Sequence, residues 1–167
     1  KIGNALTSEH QFSKSISFYQ NAIDNSERFF EAHFNLAHAF AEVGDQYKSI
    51  DEYKKALIIN DQSYAALNNL GNIYKDLFMW DDALSCYEKA LKIKPDYTDA
   101  INNLAVLYQD LGKSETSILM FERVVSLDSY SFKARRNLAV AYGDAGDKIG
   151  AVREYEAALE IEPNDSE

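Results

Sequence analysis

The chain has 167 residues, 46% hydrophobic and 26% charged, with 7 Gly, 2 Pro and one Cys. This composition excludes a disordered tail, a collagen-like chain and a disulfide scaffold, and no apolar run approaches the roughly 20 residues of a membrane-spanning helix. A net charge of −10 excludes the basic stripe of a duplex nucleic-acid binder and disfavours an anionic membrane surface.

In chain order, residues 1–29 carry Ile2, Gly3, Leu6, Tyr19 and Ala22, with a turn expected at a solvent-exposed His10. Residues 30–63 place Asn35, Leu36, Ala37 and Phe40 before Gly44, then Tyr53 and Ala56 after it. Residues 64–97 repeat this with Asn69, Leu70, Gly71, Tyr74, Tyr87 and Ala90. Residues 98–131 give Asn103, Leu104, Ala105, Tyr108, Gly112, Phe121 and Val124. Residues 132–165 give Asn137, Leu138, Ala139, Tyr142, Gly146, Tyr155 and Ala158. Every step is 34 residues, so the whole of 1–167 reads as a single repeat array with a truncated first unit.

Each unit predicts two helices. Leu67, Leu70, Gly71 and Tyr74 make one stripe of helical period; Ala83, Leu84, Tyr87, Ala90 and Leu91 make a second. Gly44, Gly112 and Gly146 suit the left-handed end of the first helix, and Pro95 and Pro163 close the second. Gly71 and Ala83 are expected at the contact between paired helices. Phe78 replaces the turn Gly in its unit, within the run Phe78-Met79-Trp80, and His33 and Arg135 stand where other units have Leu67 and Ile101.

The unit Leu67, Leu70, Gly71, Tyr74, Ala83, Tyr87, Ala90, Pro95 resembles the tetratricopeptide repeat. The resemblance implies an all-α fold: a right-handed superhelical solenoid of antiparallel helix pairs, whose first helices line a concave peptide-holding surface. A single hairpin leaves an apolar face open, so neighbouring hairpins must stack. The chain starts partway into a first helix and ends without a capping helix, which predicts a fragment of a longer protein or a module stacked on another molecule.

Catalytic and metal chemistry is not expected. Gly112-Lys113-Ser114 lacks the first Gly of a phosphate loop, since Leu107 stands there, and no strand precedes it. His33 and His38 fall on different helix faces, Cys86 reads as a small packing residue, and no motif places Ser with His and an acid. The triplet Asn164-Asp165-Ser166 is a sequon of a kind common by chance. No cofactor, metal, nucleic acid or direct membrane insertion is expected, and without a visible signal peptide or spanning segment the expected location is cytoplasmic.

The first-helix face at the second, sixth, ninth and thirteenth positions of each unit carries two ladders. Asn35, Asn69, Asn103 and Asn137 form one; Glu42, Asp76, Asp110 and Asp144 form the other. The amides either bond an extended peptide backbone or tie neighbouring helices together. The acids, set against the helix macrodipole, favour a ligand with Lys or Arg side chains. Some relatives hold a terminal carboxylate in a clamp; Asn72, Asn103 and Lys133 match it, while Asn68 and Asn137 stand where Lys and Arg are expected. Lys133 is the groove position suited to a carboxylate. The leading expectation is a non-catalytic protein–protein interaction module binding a peptide or partner segment, possible basic partners included. Its rivals are a self-assembling scaffold or coat, using Phe78, Met79 and Trp80 as a second interface, and the recognition arm of a larger enzyme such as a protein O-glycosyltransferase.

Overall fold

Four turns set the architecture. After the first helix of each complete unit the chain makes the same pair of bonds: Asp45 N–H to Phe40 C=O at 2.8 Å with Gly44 N–H to Ala41 C=O at 3.0 Å, and likewise from Met79 and Phe78, Lys113 and Gly112, Asp147 and Gly146. This double closure satisfies two terminal carbonyls and requires a left-handed residue. Gly44, Gly112 and Gly146 supply it with φ of 81°, 70° and 83°; Phe78 adopts 59°. A bulky residue there costs roughly 1–2 kcal/mol that Gly does not.

A computed structural model describes residues 2–25 and 29–161, with side chains for 12–24 and 29–161. Among the described residues there are nine α-helices and no strand: α1 Ile2–Asn25, α2 Phe30–Glu42, α3 Gln46–Ile59, α4 Tyr64–Asp76, α5 Trp80–Ile93, α6 Thr98–Asp110, α7 Ser114–Leu127, α8 Phe132–Asp144 and α9 Lys148–Ile161. The all-α reading holds, and each complete unit is an antiparallel pair. Side chains cap several starts: Ser63 Oγ accepts from Ala66 N–H and Ser131 Oγ from Ala134 N–H, both at 3.2 Å.

One expectation is corrected. α1 runs unbroken through His10, where a turn was predicted. The truncated unit has no Gly at that position, and the few helical residues before it would bury too little surface to offset breaking the backbone ladder. The side chain of His10, Pro163 and the sequon at Asn164 lie outside the residues described in this detail.

The chain divides into two compact units, Lys1–Ile93 and Lys94–Glu167. In the first, α1 packs on α2, α2 on α3, α3 on α4 and α4 on α5. Tyr53 and Tyr87 are fully buried, as are the small residues Ala37, Ala56, Ala66, Ala83 and Ala90. A Cβ on Gly71 would meet the Tyr87 ring at 2.7 Å, so the small residue does face the paired helix, as the sequence predicts. In the second unit, α6 packs on α7, α7 on α8 and α8 on α9. Its core holds Ala105, Phe121, Leu138 and Ala141, with Ile118, Met120 and Tyr142 packed against them.

His33 and Arg135, polar where other units are apolar, each meet an acid on the paired helix. His33 Nδ1 lies 2.6 Å from Glu52 Oε2, both side chains buried, and Lys55 Nζ holds the other carboxylate oxygen at 2.8 Å. Arg135 Nη1 donates to Glu154 Oε2 at 2.9 Å. Glu52 and Glu154 occupy one repeat position, which Cys86 and Met120 fill opposite Leu67 and Ile101. The two positions vary together: ionic with ionic, apolar with apolar.

Candidate functional site

In the first unit α2 carries Asn35 and Glu42, and α4 carries Asn69, Asn72 and Asp76. Asn69 Nδ2 donates to Tyr53 Oη at 3.2 Å, which ties α4 to α3. Asn68, buried, donates to Asn69 Oδ1 at 3.4 Å. The Tyr87 hydroxyl donates to Asn72 Oδ1 at 2.7 Å and ties α5 to α4. Burial pushes the Tyr53 hydroxyl up to about 12, against the smaller opposing pull of the Asn69 bond. Tyr53 therefore stays neutral at physiological pH, and both hydroxyls bond amides of α4.

In the second unit α6 carries Asn103 and Asp110, and α8 carries Lys133, Asn137 and Asp144. Asn137 Nδ2 donates to Asn102 Oδ1 at 2.8 Å, linking the first helices of adjacent hairpins. Gln109 Nε2 donates to the Asp144 carboxylate. Beside these groups lies a cavity of about 350 Å³ lined by Val106, Gln109, Phe121, Arg136, Asn137, Val140 and Tyr155. Tyr155, unlike Tyr53 and Tyr87, is 42% exposed and contributes to this wall rather than to a closed core.

The acidic ladder has a sharp structural definition. Glu42, Asp76, Asp110 and Asp144 are each the last residue of a first helix, and all four are exposed. Glu42 lies 3.8 Å from His38 and Asp76 3.2 Å from Lys75, both loose surface pairs. Lys133 is exposed at the start of α8. The sequence pattern overlooked Arg136 and Gln109, which bring a cation and an amide to the cavity. Their signal is an adjoining helical line at the fifth, ninth and twelfth repeat positions, which shares its ninth position with the ladder face.

Phe78 is 74% exposed, Met79 is exposed and Trp80 is half-buried. The Phe78 and Trp80 rings meet edge to face with centroids 5.3 Å apart. Cys86 is buried, and burial pushes its thiol up to about 11, so it is protonated at neutral pH. Among the described residues no three His, Cys, Asp or Glu side chains gather as a metal site, and no helix is long and apolar enough to cross a membrane.

Family models described as tetratricopeptide repeat match residues 30–62, 64–97, 86–118 and 133–165. None of the curated proteins compared with the chain matches it. Among solved structures it is similar to MamA, with a TM-score of 0.84, 22% identity, and 98% of this chain and 95% of that one covered. MamA from Desulfovibrio magneticus RS-1 gives 0.83 at 17% identity, covering 93% and 88%. YrrB, described as a TPR protein with an unusual peptide-binding site, gives 0.75 at 19% identity, covering 97% and 84%. Identities at this level speak for the fold alone.

Proposed function

Because the chain belongs to the tetratricopeptide repeat family, we propose that it is a non-catalytic protein-interaction module that binds an extended peptide or partner segment along the first-helix face. The observation that carries this reading is the second-unit cavity, where apolar Val106, Val140 and Tyr155 sit beside Gln109, Arg136 and Asn137. A mostly apolar concavity with a few placed polar groups is the usual form of a recognition site. The peptide's apolar side chain enters between the valines, and amides offer hydrogen bonds to its backbone. Asp110 and Asp144 attract its basic side chains; Arg136 and Lys133 attract its carboxylates.

The test is titration of a partner, recovered by pull-down with the intact chain and identified by mass spectrometry. Val140→Asp, which puts a charge in the cavity lining, should abolish binding. Asn103→Ala should weaken it by roughly 0.5–1.5 kcal/mol. Replacing Asp110 and Asp144 by Asn should weaken it chiefly at low salt, since exposed charges are screened within about 8–10 Å at physiological ionic strength. Unchanged affinity in all three, with helical circular dichroism intact, would move the site elsewhere.

A second reading, self-association, is favoured by one feature. Val152, Tyr155 and Leu159 form an exposed apolar stripe along α9. Sedimentation of the chain and of Leu159→Asp decides it: mass that rises with concentration only in the unsubstituted chain supports stacking of copies through α9.

A further inference from the structure

Phe78 adopts a left-handed backbone that Gly adopts in the three sister turns, yet its side chain gains almost no burial in return. Among the described residues its ring is paired only with that of Trp80. The first-helix ring beside each turn is already covered by a cation, Tyr74 in this unit by Lys54 at 5.8 Å, but Phe78 and Trp80 are additional rings. Lys48 sits over Phe40 at 5.3 Å, Lys113 over Tyr108 at 5.6 Å and Arg153 over Tyr142 at 5.8 Å. Among the described residues no cation covers Phe78 or Trp80.

The charges flanking this tip have one dominant sign. Asp76, Asp81 and Asp82 are exposed; of the cations nearby, Lys75 is bonded to Asp76 at 3.2 Å and Lys54 sits over Tyr74 within reach of Asp82. An edge-to-face aromatic pair offers ring faces to a cation, and carboxylates around it raise the local concentration of one. Met79 adds a flexible, polarizable wall for an aliphatic stem. We propose that the Phe78-Met79-Trp80 tip is a receptor for a cationic side chain, arginine foremost, on a basic segment of a partner protein. Arginine suits it better than lysine because a planar, weakly hydrated guanidinium stacks on a ring face at lower desolvation cost. The tip does not depend on the cavity between α6 and α8, and the two sites share no residue.

Trp80 is the only tryptophan in the chain, so its emission reports occupancy directly. The probe is an acetylated, amidated Gly-Arg-Leu-Arg-Gly peptide, compared with its Glu counterpart. The arginine peptide should change Trp80 emission saturably and the glutamate peptide should not. Phe78→Gly should weaken the arginine peptide about fivefold or more while leaving the turn intact, because Gly is the residue the sister turns use. Asp81→Asn with Asp82→Asn should weaken it and flatten its salt dependence, whereas Val140→Asp should leave the response unchanged. Equal affinity in Phe78→Gly, an equal response to the glutamate peptide, or no saturable response overturns the proposal. Self-association lost in Phe78→Gly, without an arginine-peptide response, assigns the tip to a second copy instead.

Discussion

Ser49 and Ser117 hold the same repeat position and are both fully buried, but their hydroxyls fare differently. Ser117 Oγ donates to Ala105 C=O at 2.9 Å, whereas Ser49 Oγ has no partner among the described residues. Sister units place Ala83 and Ala151 there. Ser49→Ala should therefore stabilise by about 1 kcal/mol, and Ser117→Ala should cost about 0.5–1.5 kcal/mol. Urea denaturation of both variants checks the opposite signs. Burial also makes two groups reluctant acids. The Cys86 thiol rises from 9.0 to about 11 and the Tyr53 hydroxyl from 10.0 to about 12. Above pH 9 the unfolded chain releases protons that the folded chain retains, so stability present below pH 9 is lost progressively towards pH 12. Melting temperature should fall across that range, and Cys86→Ala should flatten the part between pH 9 and 11.

At the scale of elements, the hairpin turn is the point of control. Replacing strained Phe78 by Gly should stabilise the α4–α5 hairpin by roughly 1 kcal/mol, and Gly112→Ala should destabilise α6–α7 by a similar amount. Thermal melts of the two single variants measure the contrast. These turns were legible because Gly stands at the same repeat position in three of the four complete units, and Phe78 could be placed in register even though its own preference opposes the conformation. The continuous α1 was not legible: periodicity locates a unit but does not weigh whether a shortened helix buries enough to bend back. The position of the acid ladder at the first-helix C-termini was legible from its register. The role of the asparagines stayed open because amide spacing is the same whether the partner is a peptide or, as at Asn69 and Asn137, a neighbouring side chain. Arg136 escaped because it occupies a repeat position held elsewhere by Asn68 and Asn102, so no ladder announced it.

At the scale of the molecule, contacts run between sequence neighbours, as expected for stacked hairpins. The units Lys1–Ile93 and Lys94–Glu167 each contain complete hairpins with buried aromatic residues. We propose that residues 1–93 fold without the remainder. Expressed alone, they should keep helical circular dichroism and melt cooperatively; a featureless, non-cooperative fragment would show that the array is one thermodynamic unit.

The correlated pairs His33–Glu52, Leu67–Cys86, Ile101–Met120 and Arg135–Glu154 bear on how such a chain can be recombined. The members of each pair sit on the two helices of one hairpin, in contact at the two ionic pairs, so duplicating or moving a whole 34-residue unit carries both together. Exchanging single helices does not. A chimera joining α8 to α5 would set Arg135 against Cys86 and leave the half-buried guanidinium only its bond to the Ser129 carbonyl, at a cost below the roughly 3–5 kcal/mol of breaking a fully buried pair. Restoring Cys86→Glu in that chimera should recover most of the loss. The hairpin is thus the smallest cassette this sequence can exchange, and its helices are halves of a matched set.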